Sequence, residues 1–293
     1  MSTRNAMELF NARWAEGKFV CVGLDSDYAK LPESVKTSGN PEEAIVTFNK
    51  AIIDATKDLV CAYKPNSAFY EAQGPAGLAA LKTTMEYIHE VAPGAPVILD
   101  AKRADIGNTN NGYVTFAFDW LGVDAITVHP YLGKEALKPF LDRADKMIIV
   151  LGRTSNPGAG EFQDLTVSSP VNSVNPVNPA PAGAKLYQLV ARQVAEFWNT
   201  NGNCGLVAGA TYPEELAEIR KIVGDLPLLI PGIGKQGGDL EKAVLNGRNS
   251  KKQGMIINNS SGVLFASSGP DFAQAARVVT QKMHDDITST NKQ

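Results

Sequence analysis

Cysteine and histidine are both scarce in this chain of 293 residues. The three cysteines, Cys21, Cys61 and Cys204, lie far apart, and none belongs to a CxxC pair or a mixed Cys/His ligand spacing. The three histidines also lack the spacing of metal ligands. We therefore expect no metal site and no redox role, and we predict that the cysteines are buried, reduced thiols on strands.

The chain also has no surplus of basic residues and no long hydrophobic run. Its formal net charge is -3 at pH 7, and its Lys and Arg residues are scattered, which argues against a nucleic-acid surface. The first residues, MSTRNAMELFNARW, are polar and periodic, and no apolar run is long enough to span a membrane. We expect a soluble, cytoplasmic protein without nucleic-acid or membrane partners. Small anionic ligands are compatible with this composition.

What the chain does contain is a series of short apolar runs that end in polar residues. Eight are present: FVCVGLD (19–25), VCAYKPN (60–66), PVILDAK (96–102), DAITVHP (124–130), MIIVLGR (147–153), CGLVAGA (204–210), LLIPGIG (228–234) and MIINNSS (255–261). Amphipathic stretches at 41–58, 184–199 and 213–224 carry apolar residues at helical spacing. Near-continuous apolar strands alternating with helices predict a parallel sheet covered by helices.

The number of repeats narrows the fold further. Eight strand–helix repeats are the number that closes into a (β/α)8 TIM barrel, an α/β fold. We predict one barrel domain over residues 1–293, with an open doubly wound sheet as the alternative.

Residues 152–183 interrupt the alternation of predicted strands and helices. Their sequence, GRTSNPGAGEFQDLTVSSPVNSVNPVNPAPAG, has few apolar residues. The segment follows the fifth predicted strand, and loops after strands form the catalytic face of a (β/α)8 barrel. We therefore predict a long loop beside the ligand. It is either a lid or a surface insertion.

Polar and charged residues follow the third predicted strand. The stretch LDAKRADIGNT places Asp100, Lys102, Asp105 and Thr109 at or just beyond its end. Asp100 and Lys102 are two residues apart, so they point to the same face of a strand. Because burying an unpaired charge is costly, they should pair with each other, as a plain strand-end ion pair, or with a ligand.

Two earlier strands end in further charges, Asp25 in GLD and Lys64 in AYKPN. Together with Asp100 and Lys102 they would form a rim of alternating charge around one opening. Such an array can hold a lysine ammonium as a positioned proton donor. Unpaired carboxylates in it can repel a substrate carboxylate that leaves as carbon dioxide.

Glycines are concentrated after the seventh predicted strand, in PGIGKQGGD, and the eighth strand runs into NNSSG. Gly232, Gly234, Gly237 and Gly238 permit close backbone approach, and a helix is predicted to begin near Asp239. Barrels commonly bind phosphate through the loops after strands seven and eight. The place of these loops in the strand count therefore favours a phosphate site.

These motifs make the chain similar to the orotidine 5′-monophosphate decarboxylase family, in the bacterial branch with TSNPG and PGIGxQGG loops. The resemblance runs through GLD, YKPN, LDAKRADIGNT, TSNPGAGEFQDL, PGIGKQGGD and LFASSGPDF, across nearly the whole chain. LDAKRxDIGxT is highly specific, and PGIGxQGG less so. The resemblance implies a cofactor-free lyase of pyrimidine biosynthesis that converts orotidine 5′-monophosphate (OMP) to UMP and carbon dioxide.

The resemblance also implies roles for the charged residues. Lys64, Asp100, Lys102 and Asp105 would form the catalytic network. Lys102 would protonate C6 of the pyrimidine, and Asp100 would lie beside the departing carboxylate. Asp105 and Thr109 would come from the neighbouring subunit of an obligate homodimer, and Lys64 would also contact the ribose hydroxyls.

Substrate-binding residues are implied in the same way. Asp25 would contact the ribose hydroxyls, and Ser155 would face the pyrimidine edge. Gln236 would bind the phosphate, with Gly234 and Gly262 in the two phosphate loops.

One position departs from the family pattern. Where the family reads NSSRG, this chain reads NNSSG, so Ser261 stands in the place of a phosphate-binding arginine. Natural drift, an engineered substitution and a compensating cation such as Lys235 or Arg248 are the three explanations that stay open.

Two other functions stay open on the residues alone. The first is another phosphate-sugar lyase or aldolase on the same barrel, which would use a lysine such as Lys64 as a Schiff base. The second is a catalytically weakened barrel that binds a nucleotide without turning it over, which Ser261 makes conceivable.

Overall fold

Eight parallel strands form the centre of the fold in the computed structural model, which describes residues 4–167, 183–233 and 238–293. The strands are β1 (Val20–Gly23), β2 (Val60–Lys64), β3 (Ile98–Arg103), β4 (Ala125–Val128), β5 (Met147–Arg153), β6 (Cys204–Ala208), β7 (Leu228–Ile230) and β8 (Met255–Asn259). They pair in the order β2-β1-β8-β7-β6-β5-β4-β3. Two parallel bridges, Tyr63–Val97 and Asn66–Asp100, join β2 to β3. The sheet therefore closes into a barrel.

The predicted (β/α)8 barrel is thus confirmed, and the open-sheet alternative is wrong. Seven of the eight apolar runs contain a whole strand, and β3 extends one residue beyond its run, to Arg103. Strands β1, β2, β4, β6, β7 and β8 are buried along their whole length. Burial on both faces is what makes parallel strands read as continuous apolar runs rather than as alternating ones.

Helices cover the outside of the barrel. They are α1 (Ala6–Ala15), α2 (Pro41–Thr56), α3 (Ser67–Glu71), α4 (Gly74–Val91), α5 (Gly107–Val114), α6 (Gly133–Leu141), α7 (Gly160–Gln163), α8 (Leu186–Gln193), α9 (Pro213–Val223), α10 (Leu240–Gly247), α11 (Ser261–Leu264) and α12 (Phe272–Lys292). The amphipathic stretches predicted at 41–58 and 213–224 are α2 and α9. The stretch at 184–199 is α8 followed by a π-helical segment, Val194–Trp198.

The amino-terminal segment covers the end of the barrel where the strands begin. Trp14 of α1 donates from Nε1 to the carbonyl oxygen of Met255, the first residue of β8, at 2.8 Å. Arg4 binds Asp124, which precedes β4, at 2.9 Å. The opposite end, where the strands finish, is therefore left for the loops that follow the strands.

The long polar segment begins later than the predicted residue 152, because β5 continues to Arg153. A short 3-10 turn, Pro157–Ala159, and α7 follow it. Thr166 and Lys185 then form an antiparallel bridge. Residues 168–182 of the predicted loop lie outside the described residues, so its interpretation as a lid or an insertion stays a prediction.

The three cysteines lie on β1, β2 and β6, and all are buried and unpaired, as predicted. Burial raises the pKa of the Cys21 thiol to about 12. Within the described ranges, no helix is long and apolar enough to cross a membrane.

Candidate active site

A cavity of about 570 Å³ opens at the carboxyl ends of the strands. Each strand, or the loop that follows it, contributes at least one residue to its lining: Asp25, Lys64, Asp100, Thr127, Ser155, Val207, Pro231 and Asn258. This volume lies in the range of small-molecule sites, and this end of a (β/α)8 barrel is where active sites form. Asp25, Lys64, Asp100, Lys102 and Ser155, which the sequence singled out, are brought together here.

Asp100 lies between two lysines at one side of the cavity. Its Oδ2 accepts from Nζ of Lys64 at 3.0 Å, and its Oδ1 accepts from Nζ of Lys102 at 2.7 Å. The side chains of Lys64 and Asp100 are only 4% and 12% exposed, whereas that of Lys102 is 49% exposed. Lys64 is therefore held inside the wall, and the ammonium of Lys102 is open to a ligand.

The two lysines determine the charge of Asp100. Burial alone would raise the pKa of this carboxyl, but the positive charges of Lys64 and Lys102 outweigh burial and hold it well below its usual range. Burial would likewise lower the pKa of Lys64, yet Asp100 and Asp25 raise it above the ordinary value. Both groups are therefore ionised at neutral pH.

Lys102 has an unusual backbone. Its φ angle is 47°, in the left-handed region that residues other than glycine rarely adopt. The pairing register of β3 with β4 shifts between Leu99 and Arg103, on either side of it. The backbone N–H of Lys102 donates to Oγ1 of Thr127 at 3.0 Å. Such strain costs roughly 1–3 kcal/mol and persists where the surroundings determine the conformation, often at functional sites.

Thr127 is a residue of the site that the sequence reasoning missed. Besides accepting from the N–H of Lys102, its hydroxyl donates to Oδ1 of Asp100 at 2.8 Å. It lies on β4 and is 1% exposed. A buried threonine in an apolar run is also compatible with simple packing, so the only signal was its place on the strand next to β3.

Asp25 follows β1 and faces the same cavity. Its Oδ1 is buried and has no hydrogen-bond partner among the described residues. An unpaired buried carboxylate oxygen is costly, so a donor from a bound molecule would be favoured at this position.

Asp105 and Thr109 are not among the described lining residues of the cavity that holds Lys102. Oδ1 of Asp105 accepts from the backbone N–H of Ile106 at 2.6 Å. Thr109 lies on α5 in a separate groove with Tyr113. Ile106, between them, is 65% exposed.

The loops after β7 and β8 form another side of the cavity. Gly232 and Ile233 line it, as does Ser261, the first residue of α11. Gln236, Gly234 and Lys235 lie outside the described residues, so their predicted roles stay predictions. Gly262 makes room for a neighbour, since a Cβ there would come within 2.7 Å of Oδ1 of Asn259.

The suggestion that Arg248 replaces the missing arginine is wrong. Arg248 ends α10 and precedes β8, at the opposite end of the barrel from the cavity. There its Nη1 donates to the carbonyl oxygen of Asn291 at 3.3 Å.

Sequence reasoning also missed several polar residues of the lining, among them Lys30, Asp27, Gln163 and Thr154. Lys30 and Asp27 come from the loop after β1 and pair at 2.8 Å. Gln163 and Thr154 come from the segment after β5. They lie in polar loops or in single helical turns, which are too short for a periodic pattern to identify the side chains that face the site.

Comparisons with known proteins agree with this geometry. A sequence model of the orotidine 5′-phosphate decarboxylase / HUMPS family matches residues 18–277. The chain is 47% identical over 281 residues to an orotidine 5′-phosphate decarboxylase from Ralstonia nicotianae, covering 96% of this chain and 97% of the relative. It is 50% identical over 264 residues to one from Herpetosiphon aurantiacus, covering 89% and 90%.

Solved structures give the same result. The OMP decarboxylase of Leishmania donovani is 35% identical with a TM-score of 0.77, covering 97% of this chain and 99% of that one. The UMP synthase of the same organism is 36% identical with a TM-score of 0.82, covering 99% of this chain and 57% of that one. On the match over residues 18–277 and these identities, the chain belongs to the orotidine 5′-phosphate decarboxylase / HUMPS family.

Proposed function

We propose that this chain decarboxylates OMP to UMP and carbon dioxide, a step of pyrimidine biosynthesis, with no metal or organic cofactor. The observation that carries the proposal is the position of Asp100 between Lys64 and Lys102, inside a cavity of nucleotide size. The names of the relatives, from bacteria and from Leishmania donovani, agree with this substrate.

The charge network can perform both halves of the reaction. A substrate carboxylate next to ionised Asp100 is repelled, and the repulsion falls as the C–C bond breaks and carbon dioxide departs. The electron pair left on C6 of the pyrimidine takes a proton from the ammonium of Lys102, which is exposed to the cavity. Lys102 then regains a proton from water, and UMP is released.

The remaining lining accounts for the rest of the nucleotide. Asp25, with its unpaired oxygen, and Lys64 would hold the ribose hydroxyls, and Ser155 would face the pyrimidine edge. The phosphate would lie against the β7 and β8 loops. Among the described lining residues, Lys30 is a cation that does not bind Asp100, and it is available to this phosphate if it leaves Asp27.

We further propose a homodimer in which each active site receives Asp105 and Thr109 from the other subunit. Both residues lie outside the cavity of their own chain, next to the exposed Ile106. A cytoplasmic location fits the three unpaired thiols, since disulfides are rare in reducing compartments.

The aldolase alternative fits the site poorly. A Schiff-base lysine must be neutral to attack a carbonyl. Lys64 is buried against Asp100 and Asp25, which raise its pKa and keep it protonated. Borohydride added with substrate should therefore leave no covalent adduct on the protein.

Conversion of OMP to UMP by the purified protein, with a chelator present, is the direct test. Lys102→Ala should lose more than about nine-tenths of kcat, equivalent to roughly 1.4 kcal/mol of barrier. It should still bind UMP, because the lost group acts on the reacting carbon. Lys138→Ala, which breaks a surface lysine–aspartate pair with Asp142, is the matched control and should be fully active. A wild-type protein that binds UMP without decarboxylating OMP would establish the nucleotide-binding alternative.

A further inference from the structure

Arg153 ends β5 and is almost completely buried, with 3% of its side chain exposed. Its guanidinium lies 5.5 Å from the ring centroid of Tyr187 and 4.6 Å from that of Tyr212. Nε and Nη2 both bind the carboxylate of Glu215 on α9. Arginine is the side chain that best combines stacking on rings with a two-pronged carboxylate contact. Arg153 is therefore anchored on the helical layer, and the described lining of the cavity does not include it.

The same guanidinium reaches the loop after β5. Its Nη2 lies 3.3 Å from Oδ2 of Asp164, and its Nη1 makes a long contact of 3.5 Å with Oε1 of Gln163. Gln163 ends α7 and lines the cavity. Arg153 thus connects the helical layer to a side chain in the cavity wall.

Gln163 in turn holds the residues in front of α7. Its Oε1 accepts from the backbone N–H of Thr154 at 2.9 Å, and its Nε2 donates to Oγ1 of Thr154 at 2.8 Å. That hydroxyl donates onward to Oδ1 of Asn156 at 2.6 Å. Because the Thr154 N–H and the Arg153 guanidinium are both donors, the amide must turn its oxygen toward them. The orientation of Gln163 is therefore determined by Arg153 and Thr154 together.

Thr154, Ser155, Asn156 and Gln163 all line the cavity and are called the β5 wall below. In the strand order, β5 is two strands from β3, which carries Asp100, and four strands from β1, which precedes Asp25. The β5 wall is thus closer in the strand order to Asp100 than to Asp25, one of the two proposed ribose contacts.

We propose that Arg153 is a positioning residue for base recognition, which acts through Gln163 to hold the β5 wall in the shape that receives the pyrimidine. Loops are more mobile than the elements they connect, and a binding wall built on one needs support from behind. This inference rests on the proposed function and names what selects the base in that site.

Binding of two ligands separates this role from general stability. UMP carries the base, whereas ribose 5-phosphate lacks it. Arg153→Lys keeps the charge but loses the planar fork and the ring stacking, so Kd for UMP should rise about tenfold while Kd for ribose 5-phosphate changes less than about twofold. Gln163→Ala should do the same. In the double variant the loss should be no larger than in the more affected single variant, because both changes interrupt one connection.

Arg220→Lys is the matched control. Arg220 is a half-buried arginine on α9, the helix of Glu215, and it binds the carbonyl oxygens of Gly247, Gly224 and Leu226. Its substitution should leave both Kd values unchanged. Unchanged UMP binding in Gln163→Ala, additive losses in the double variant, or equal losses for both ligands would overturn the inference while wild-type decarboxylation stands. A wild-type protein that binds no UMP would overturn the proposed function as well.

Discussion

The backbone N–H of Lys102 donates to the hydroxyl of Thr127, and that hydroxyl donates to the same Asp100 oxygen that accepts from the Lys102 ammonium. Lys102 is therefore held at both ends, at its backbone by β4 and at its ammonium by Asp100. The backbone contact stabilises a positive φ that a lysine would otherwise avoid. Thr127 thus supports the position of the residue to which we assign the proton transfer.

Replacement of Thr127 tests this support. Thr127→Val keeps the shape but removes the acceptor for the Lys102 N–H and the donor to Asp100, so kcat should fall about tenfold or more with a smaller change in UMP binding. Thr127→Ser retains the hydroxyl and should recover most of the activity. Steady-state kinetics with OMP measures both variants. If Val and Ser at position 127 behave alike, the hydroxyl has no part in holding Lys102.

The fold and much of the charged rim were predictable because their signals are local. Parallel strands buried on both faces produce apolar runs, and the polar residue that ends each run lies at the catalytic rim. Asp100 and Lys102 were expected to share one face because they are two residues apart. The two side chains do meet. The backbone of Lys102, however, has a left-handed conformation that is stabilised by a hydrogen bond to Thr127, 25 residues later in the chain.

The parts that were missed depend on contacts between distant segments. Gln163 is oriented by Arg153, which is itself held by Glu215, 62 residues further on. Lys30 lies in a polar loop, whose side chains are directed by turns rather than by a periodic pattern. Nothing in the local sequence identifies Gln163 or Lys30 as a residue that faces the site.

The buried ion pair of Asp100 and Lys64 should also determine how the stability of the protein depends on pH. The folded-state pKa of Asp100 lies below its unfolded value, so this carboxylate contributes stability that is complete above about pH 4 and is lost as the pH falls further. Lys64 has a raised pKa, so its contribution is complete below about pH 10 and is lost as the pH rises beyond its folded-state value. Between these limits the buried pair is intact.

Asp100→Asn should therefore cost about 3 kcal/mol of unfolding free energy at pH 7, because it leaves Lys64 buried without its main partner. The difference from wild type should shrink as the pH falls below about 4. Denaturant unfolding of both proteins at pH 7 and pH 3 measures this difference in unfolding free energy. Asp119→Asn, at a carboxylate 54% exposed, should change stability by less than about 1 kcal/mol. A gap that stays constant down to pH 3 would show that the charge of Asp100 does not contribute as described.

Subunit mixing tests the proposed shared site. If Asp105 acts across a two-fold interface, a mixed dimer of Lys102→Ala and Asp105→Ala chains assembles one site with both residues intact. Random exchange makes half of the dimers mixed, with one working site in two, so about a quarter of wild-type activity should return.

Lys102→Ala mixed with Asp100→Asn is the control for this experiment. Both residues lie in one chain's cavity, so no arrangement of these two chains restores a complete site. Activity should stay near zero in this mixture. An equal recovery in both mixtures, or none in either despite proven exchange, would mean that Asp105 is not supplied by the partner.

The last prediction concerns Ser261, which is exposed and lines the cavity. A hydroxyl supplies no charge to a phosphate, whereas an arginine would add a two-pronged charged contact, among the stronger hydrogen bonds in proteins. The phosphate is remote from the reacting carbon, but its binding energy can be used to orient the pyrimidine, so the gain should extend to kcat/KM. Ser261→Arg should raise kcat/KM for OMP about tenfold. The increase for orotidine, which lacks the phosphate, should be much smaller.

Ser268→Arg is the control, because it adds the same charge at an exposed position outside the described lining. It should change kcat/KM for neither substrate. An equal gain on both substrates, or no gain at all, would mean that position 261 does not serve the phosphate and that another cation, such as Lys30, already fills that role.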